Sequence, residues 1–92
     1  MVSVQITGNL QPFFPDLAGR TVDVEASTVA EVVQELERRA PGFAFYVCDE
    51  LGRLRRHVNV FIDNDRVLDR TELSDRVEAA SRVFIVQALS GG

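Results

Sequence analysis

Val83-Phe84-Ile85-Val86-Gln87-Ala88-Leu89-Ser90-Gly91-Gly92 carries an apolar run straight into two glycines, with no charged residue after them. The run reads as a last strand from Arg82 to Leu89. Glycine has no Cβ, so a carboxyl borne on two glycines can thread a slot too narrow for a side chain. At an average glycine usage of about 7%, two given positions are both glycine in roughly 0.5% of chains. It is the position at the end of a strand, more than this rarity, that marks Gly91 and Gly92 as a functional end.

Working outward, the last strand needs partners. Val2, Val4 and Ile6 alternate with Ser3, Gln5 and Thr7, the period of a half-buried strand. Gly8 to Gly19 holds Asn9, Pro12, Pro15 and Asp16 and reads as a loop, with Phe13 and Phe14 expected to pin it to the body. Thr21 to Glu25 alternates again with Val22 and Val24 inward, so the two early strands form an antiparallel hairpin. Thr28 with Glu31 fits a capping box, and Val29, Val32, Val33, Leu36 and Ala40 then share one helical face. Arg38 and Arg39 suit the helix C-terminus, and Pro41-Gly42 stops it. Phe43 to Leu54 admits a short helix or a packed loop. His57 to Asp63 is a strand, Asn64-Asp65 a turn and Arg66-Val67-Leu68 a short return strand. Asp69 to Ser81 is polar, anchored by Leu73 and Val77.

The order is therefore strand, strand, helix, strand, short strand, strand. A right-handed crossover after the opening hairpin sets the last strand beside the first, with the helix across one sheet face. This is an α+β fold of β-grasp type, a mixed four- to five-stranded sheet on one main helix. The division expected is a domain over 1–87 and a flexible tail over 88–92.

Ninety-two residues make one domain with one modest core. The net charge of −4 argues against a general nucleic-acid binder, which needs a basic surface. The longest apolar runs are too short to span a bilayer, and no signal peptide opens the chain, so the expected address is the cytoplasm. Cys48 is the only cysteine. That excludes an internal disulfide or a multi-cysteine metal site held by this chain alone; Asp49 and Glu50 would raise its pKa, so a buried inert thiol is expected. All ten basic residues are arginine, so an activated terminal carboxyl meets no lysine amine on its own chain.

Strand parity suggests a docking surface. Val58, Val60 and Ile62 read as inward, leaving Asn59, Phe61 and Asp63 outward. If Val83 and Ile85 join the core, Phe61, Phe84 and Val86 form an apolar patch on the open sheet face, a partner site. The alternatives are reversed parity or a loop covering the patch. Arg53, Arg55 and Arg56 read as a solvated basic loop, with recognition of an activating enzyme or a phosphorylated acceptor as the other reading. His57 stands alone without a metal or acid–base motif. Asp63, Asp65 and Asp69 read as turn chemistry, since they lack the pattern of a calcium loop. No phosphate-binding glycine pattern occurs, so any ATP must be bound by a partner.

The element order, the Thr28-capped helix, the stretch Arg55-Arg56-His57-Val58-Asn59-Val60-Phe61-Ile62-Asp63-Asn64 and the terminal Gly91-Gly92 together resemble the ubiquitin-like sulfur carriers. These are the molybdopterin-synthase small subunit, the thiamine sulfur carrier and their relatives. The arginine-rich approach to the Val-Asn-Val strand is most similar to the longer branch, which includes carriers used in cysteine biosynthesis. The chain departs from the family at Glu78-Ala79-Ala80-Ser81, where an Asp-Gly-Asp-like turn is common. It departs again at Gln87-Ala88-Leu89-Ser90, where a Pro- or Ala-rich lead is common.

The resemblance implies that this is a protein co-substrate and no enzyme, unless it serves as the small subunit of a molybdopterin-synthase-like complex. An E1-like adenylyltransferase would use ATP to adenylate the Gly92 carboxylate. A sulfurtransferase or persulfide donor would then supply sulfur for a thiocarboxylate, and a sulfur-accepting synthase would receive it. Leu89 and Ser90 would enter the partner with Gly91 and Gly92, while Phe61, Phe84 and Val86 dock the body. No cofactor or metal is expected on this chain, nor a nucleic-acid or membrane partner, and the free protein is expected to be a monomer. Two alternatives stand beside this: a ubiquitin-like modifier joined through Gly92 to other proteins, and a plain β-grasp interaction module.

Overall fold

The computed structural model describes residues 1–87; the expected tail, 88–92, lies outside them, and with it Leu89, Ser90, Gly91 and Gly92. The elements are β1 (Val2–Gly8), a 3-10 turn (Gln11–Phe13), β2 (Val22–Val24), α1 (Val29–Arg39), α2 (Phe43–Val47), β3 (Val58–Ile62), β4 (Asp65–Arg66) and β5 (Arg82–Gln87). They form one five-stranded sheet in the order β2-β1-β5-β3-β4. β1 and β5 run parallel, and every other pairing is antiparallel. The hairpin, the crossover and the central last strand are those expected of a β-grasp.

Alternation decides which face is inside. Val2, Val4 and Ile6 of β1, Val58 and Val60 of β3, and Val83 and Ile85 of β5 are all buried. They join Val29, Val32, Val33 and Leu36 of α1 in one core. The capping box forms with a shift: Thr28 Oγ1 accepts from the Glu31 N–H at 3.3 Å, while the Glu31 carboxylate accepts from the N–H of Ser27 at 2.6 Å. Two further helix-start N–H groups are met from across the chain. Val29 donates to the Asp75 carbonyl at 3.0 Å and Ala30 to that of Leu73 at 2.9 Å. Leu73 adopts φ 57° to do so, a left-handed angle uncommon for leucine. Its buried side chain holds it there.

The loop after β4 is built on two carboxylates. Asp75 accepts from the N–H groups of Leu68 at 3.0 Å and Asp69 at 2.7 Å. Asp69 accepts from those of Thr71, Glu72 and Ser74 and from the Ser74 hydroxyl. These donors favour the carboxylate and lower the Asp69 pKa from its ordinary 3.8 to about 2, with the Glu72 N–H the largest contributor. Because the folded value is depressed, the stabilisation is complete above the unfolded value and is lost as pH falls through the folded one. A melting-temperature titration should therefore fall between about pH 4 and 2, and Asp69→Asn should flatten that limb. An unchanged acid limb in the variant would show that Asp69 carries none of it.

Several local expectations are corrected. Phe14 is buried as expected, but Phe13 is 59% exposed; Leu10 and Leu17, both buried, anchor the loop instead. The β3–β4 turn is centred one residue earlier than expected. Ile62 pairs with Asp65, Asp63 takes the left-handed angle (φ 55°), and Leu68 is 90% exposed beyond the strand. The basic loop is not uniformly solvated. Arg53 pairs with Asp49 at 3.1 Å, and the Arg55 guanidinium donates twice to the Phe45 carbonyl, at 3.0 and 2.9 Å. Arg56 alone of the three is exposed without a partner among the described residues.

Candidate functional site

The site is the place where the chain leaves β5. β5 lies between β1 and β3, so Gln87 pairs with Gly8 on one side and Val58 on the other. The described residues thus close at Gln87, in the middle of the sheet, on a strand held on both edges. Gly8 has φ +63°, and a Cβ there would sit an ordinary 3.5 Å from the Gln87 carbonyl; the backbone angle, not lack of space, calls for glycine. The same carbonyl accepts from Asn9 Nδ2 at 3.4 Å. The sequence read Gly8 and Asn9 only as turn residues of the loop, not as part of the site. A glycine ending a strand is a weak signal until its partner strand is known.

On the face away from the helices, Phe61 and Phe84 are direct cross-strand partners. Val86 stands between Asn59 of β3 and Thr7 of β1. The structure therefore takes the arrangement with Val83 and Ile85 inside and sets Phe61, Phe84 and Val86 together on the open side. All three are half-buried by their neighbours on that face. The Arg66 guanidinium lies 6.0 Å from the centre of the Phe61 ring, and Arg82, Gln5 and Ser3 line a shallow depression beside Phe84. Among the described residues, α1, α2 and the loop anchors Leu10, Phe14 and Leu17 all pack in the core on the other side.

Arg70, which the sequence did not flag, orders the edge of this patch. It donates to Asn59 Oδ1 at 3.0 Å and to the Arg55 carbonyl at 2.8 Å. Nothing local could have announced it, because its partners are 11 and 15 residues away. Glu37, off the apolar face of α1, likewise makes contacts beyond its own helix. Its carboxylate accepts from the N–H groups of Gly42 and Ala44, which lowers its pKa and fixes the turn from α1 into α2.

Burial, then the Asp49 charge, push the Cys48 thiol up against a smaller opposing effect of Arg55, so it stays a protonated thiol. Among the described residues no group of three or more His, Cys, Asp or Glu side chains could hold a metal ion. No helix among them is long and apolar enough to cross a membrane.

Comparison with known proteins agrees with this arrangement. The ThiS family model matches residues 4–92. No curated protein matches the chain in sequence. Among solved structures, a chain of the Amycolatopsis orientalis BexX/CysO complex is similar over 100% of both chains, with 24% identity and a TM-score of 0.82. Mycobacterium tuberculosis CysO is similar over 97% of this chain and 100% of its own, with 24% identity and a TM-score of 0.81. SAMP1 from Haloferax volcanii follows at 20% identity and a TM-score of 0.76, over 99% of this chain and 98% of its own. At these identities the structural likeness speaks to the shared β-grasp fold.

Proposed function

The chain belongs to the ThiS family of ubiquitin-like sulfur carriers, and on that premise we propose that it works through the carboxyl of Gly92. The observation that carries the reading is the family match running through to residue 92, on a chain whose described residues close with the central strand β5 (Arg82–Gln87). In this reading a carboxylate oxygen of Gly92 attacks the α-phosphate of ATP on an E1-like enzyme, and pyrophosphate leaves. Adenylation is needed because a carboxylate is a poor electrophile and AMP is a good leaving group. Sulfide, or a persulfide followed by a reducing thiol, then attacks the acyl carbon and displaces AMP. The resulting thiocarboxylate is a strong sulfur nucleophile for an accepting synthase. The protein body supplies recognition, and the partners supply ATP binding and turnover.

The pathways in view are cofactor, cysteine or related biosynthesis. The Amycolatopsis orientalis neighbour is seen in a complex with BexX, which supports the idea of a carrier read by an enzyme partner. Incubation with the adenylating enzyme, ATP and sulfide should add the mass of one sulfur less one oxygen to the intact protein. No such gain with a partner that does adenylate the chain would remove the carrier reading. Lysine-linked adducts on other proteins, lost with Gly92, would favour the modifier instead; four structural neighbours carry modifier or Urm1 names.

Docking of the activating enzyme is assigned to the open sheet face. Phe61→Asp places a charge in the middle of the Phe61–Phe84 pair and should weaken binding by about tenfold or more. The stability loss should be small, about 1 kcal/mol, because the ring is half in water. Calorimetric titration and thermal melting separate the two; a large fall in melting temperature with unchanged binding would show the patch to be structural only.

A further inference from the structure

A second apolar surface surrounds the same exit point, on the helix side of the sheet. Four aromatic rings run in contact from the core outward. Fully buried Phe43 lies edge-on to Phe14 at 5.0 Å, Phe14 to Tyr46 at 5.3 Å, and Tyr46 meets Phe13 at 5.1 Å. Next to them Phe45 is 62% exposed, with the Arg55 guanidinium 5.0 Å from its ring centre. A cavity of about 420 Å³ opens between Gly42, Phe45, Tyr46, Arg55 and Gln87. Two phenylalanine rings left largely in water contribute little to folding. Here Phe45 lines the cavity with Gln87, and Phe13 stands one ring further out, against Tyr46.

We propose that Phe13, Phe45, Tyr46 and Arg55 form a collar that seats against the rim of the adenylating enzyme's slot while Gly92 lies within it. This rests on the carrier reading and adds a second, separate contact to it. The length of the tail names the occupant. Five residues reach at most about 16 Å, at roughly 3.3 Å per residue. An enzyme that holds the Gly92 carboxyl must therefore bring its slot rim against whatever surrounds Gln87. Val86 belongs to the open face and Gln87 to the helix side, so the enzyme straddles the strand and touches both surfaces. The rim it presents to the collar is apolar opposite Phe13 and Phe45, and carries a carboxylate near Arg55 and the exposed Arg56. Such centrally placed aromatic and arginine side chains are the kind that dominate binding.

The test is ATP–pyrophosphate exchange by the adenylating enzyme, measured against the concentration of the full chain. The F13S/F45S double variant should raise KM about tenfold or more with kcat within about twofold, because the tail and its chemistry are untouched. Leu68→Ser removes a still more exposed apolar side chain elsewhere and should change neither. Arg56→Glu disturbs no packed ring and should raise KM several-fold by charge repulsion, an effect that shrinks with added salt; it keeps the question open to test should the double variant fold poorly. An unchanged KM in both F13S/F45S and Arg56→Glu, with Phe61→Asp still impaired, overturns the collar and leaves the carrier reading intact. Absence of exchange with the unaltered chain removes the carrier reading, and the collar with it.

Discussion

Deleting Gly92 is expected to abolish adenylation and thiocarboxylate formation while leaving the melting temperature unchanged. The truncated chain still ends in a glycine carboxylate, so the chemistry of the group is conserved and only its reach is altered. One residue removes about 3.3 Å of reach. A displacement of about 1 Å at a reacting centre can already cost about 10²-fold, so a shortened tail on a body docked at fixed surfaces should show no measurable turnover. Stability should be untouched because, among the described residues, the core and the β5 ladder to β1 and β3 are formed without Gly92. Intact-mass analysis after incubation with the activating enzyme, ATP and sulfide, beside a thermal melt, reads both halves. Sulfur gain at the undiminished rate would place the working group elsewhere.

The largest effect on stability is expected from Phe43→Ala. Phe43 has no accessible surface, packs edge-on against Phe14 and lies at the start of α2. Truncating a buried phenylalanine costs about 3–5 kcal/mol from lost transfer energy and the cavity left behind. Small domains have only about 5–15 kcal/mol in total, and each kcal/mol moves the melting temperature of a domain this size by about 4–8 °C. A fall of more than about 10 °C should follow. The same substitution at Phe13, at the exposed end of the ring series, should change stability by no more than about 0.5 kcal/mol. Comparable losses at both positions would mean that the rings act as one packed unit and that Phe13 is not held out for a partner.

Much of this was legible in local pattern. Period-two alternation put Val2, Val4, Ile6, Val58 and Val60 inside but left the parity of Val83 and Ile85 open, and the Thr28–Glu31 spacing located the start of α1. These features are written in residues a few positions apart, where strand and helix geometry fix relative direction. The turn after β3 was misplaced by one residue because Asp63, Asn64 and Asp65 all suit turns; only the pairing of Ile62 with Asp65 selects among them. Phe13 and Phe14 are adjacent and alike, and nothing in their types says which ring the fold would bury.

The sequence by itself determined the β-grasp order, the inward and outward sets of β1, β2 and β3, and a diglycine end that no lysine of the chain can attack; which face of β5 turns inward was left to the structure. It did so because each depends on identity and short-range spacing. Only the tertiary structure decided that Phe61 and Phe84 are partners, that Arg70 orders Asn59, that Glu37 holds the start of α2, and that Gly8, Asn9, Tyr46 and Arg55 gather around Gln87. Those contacts join residues brought together by sheet register and crossover, and such long-range closure leaves no periodic trace along the chain.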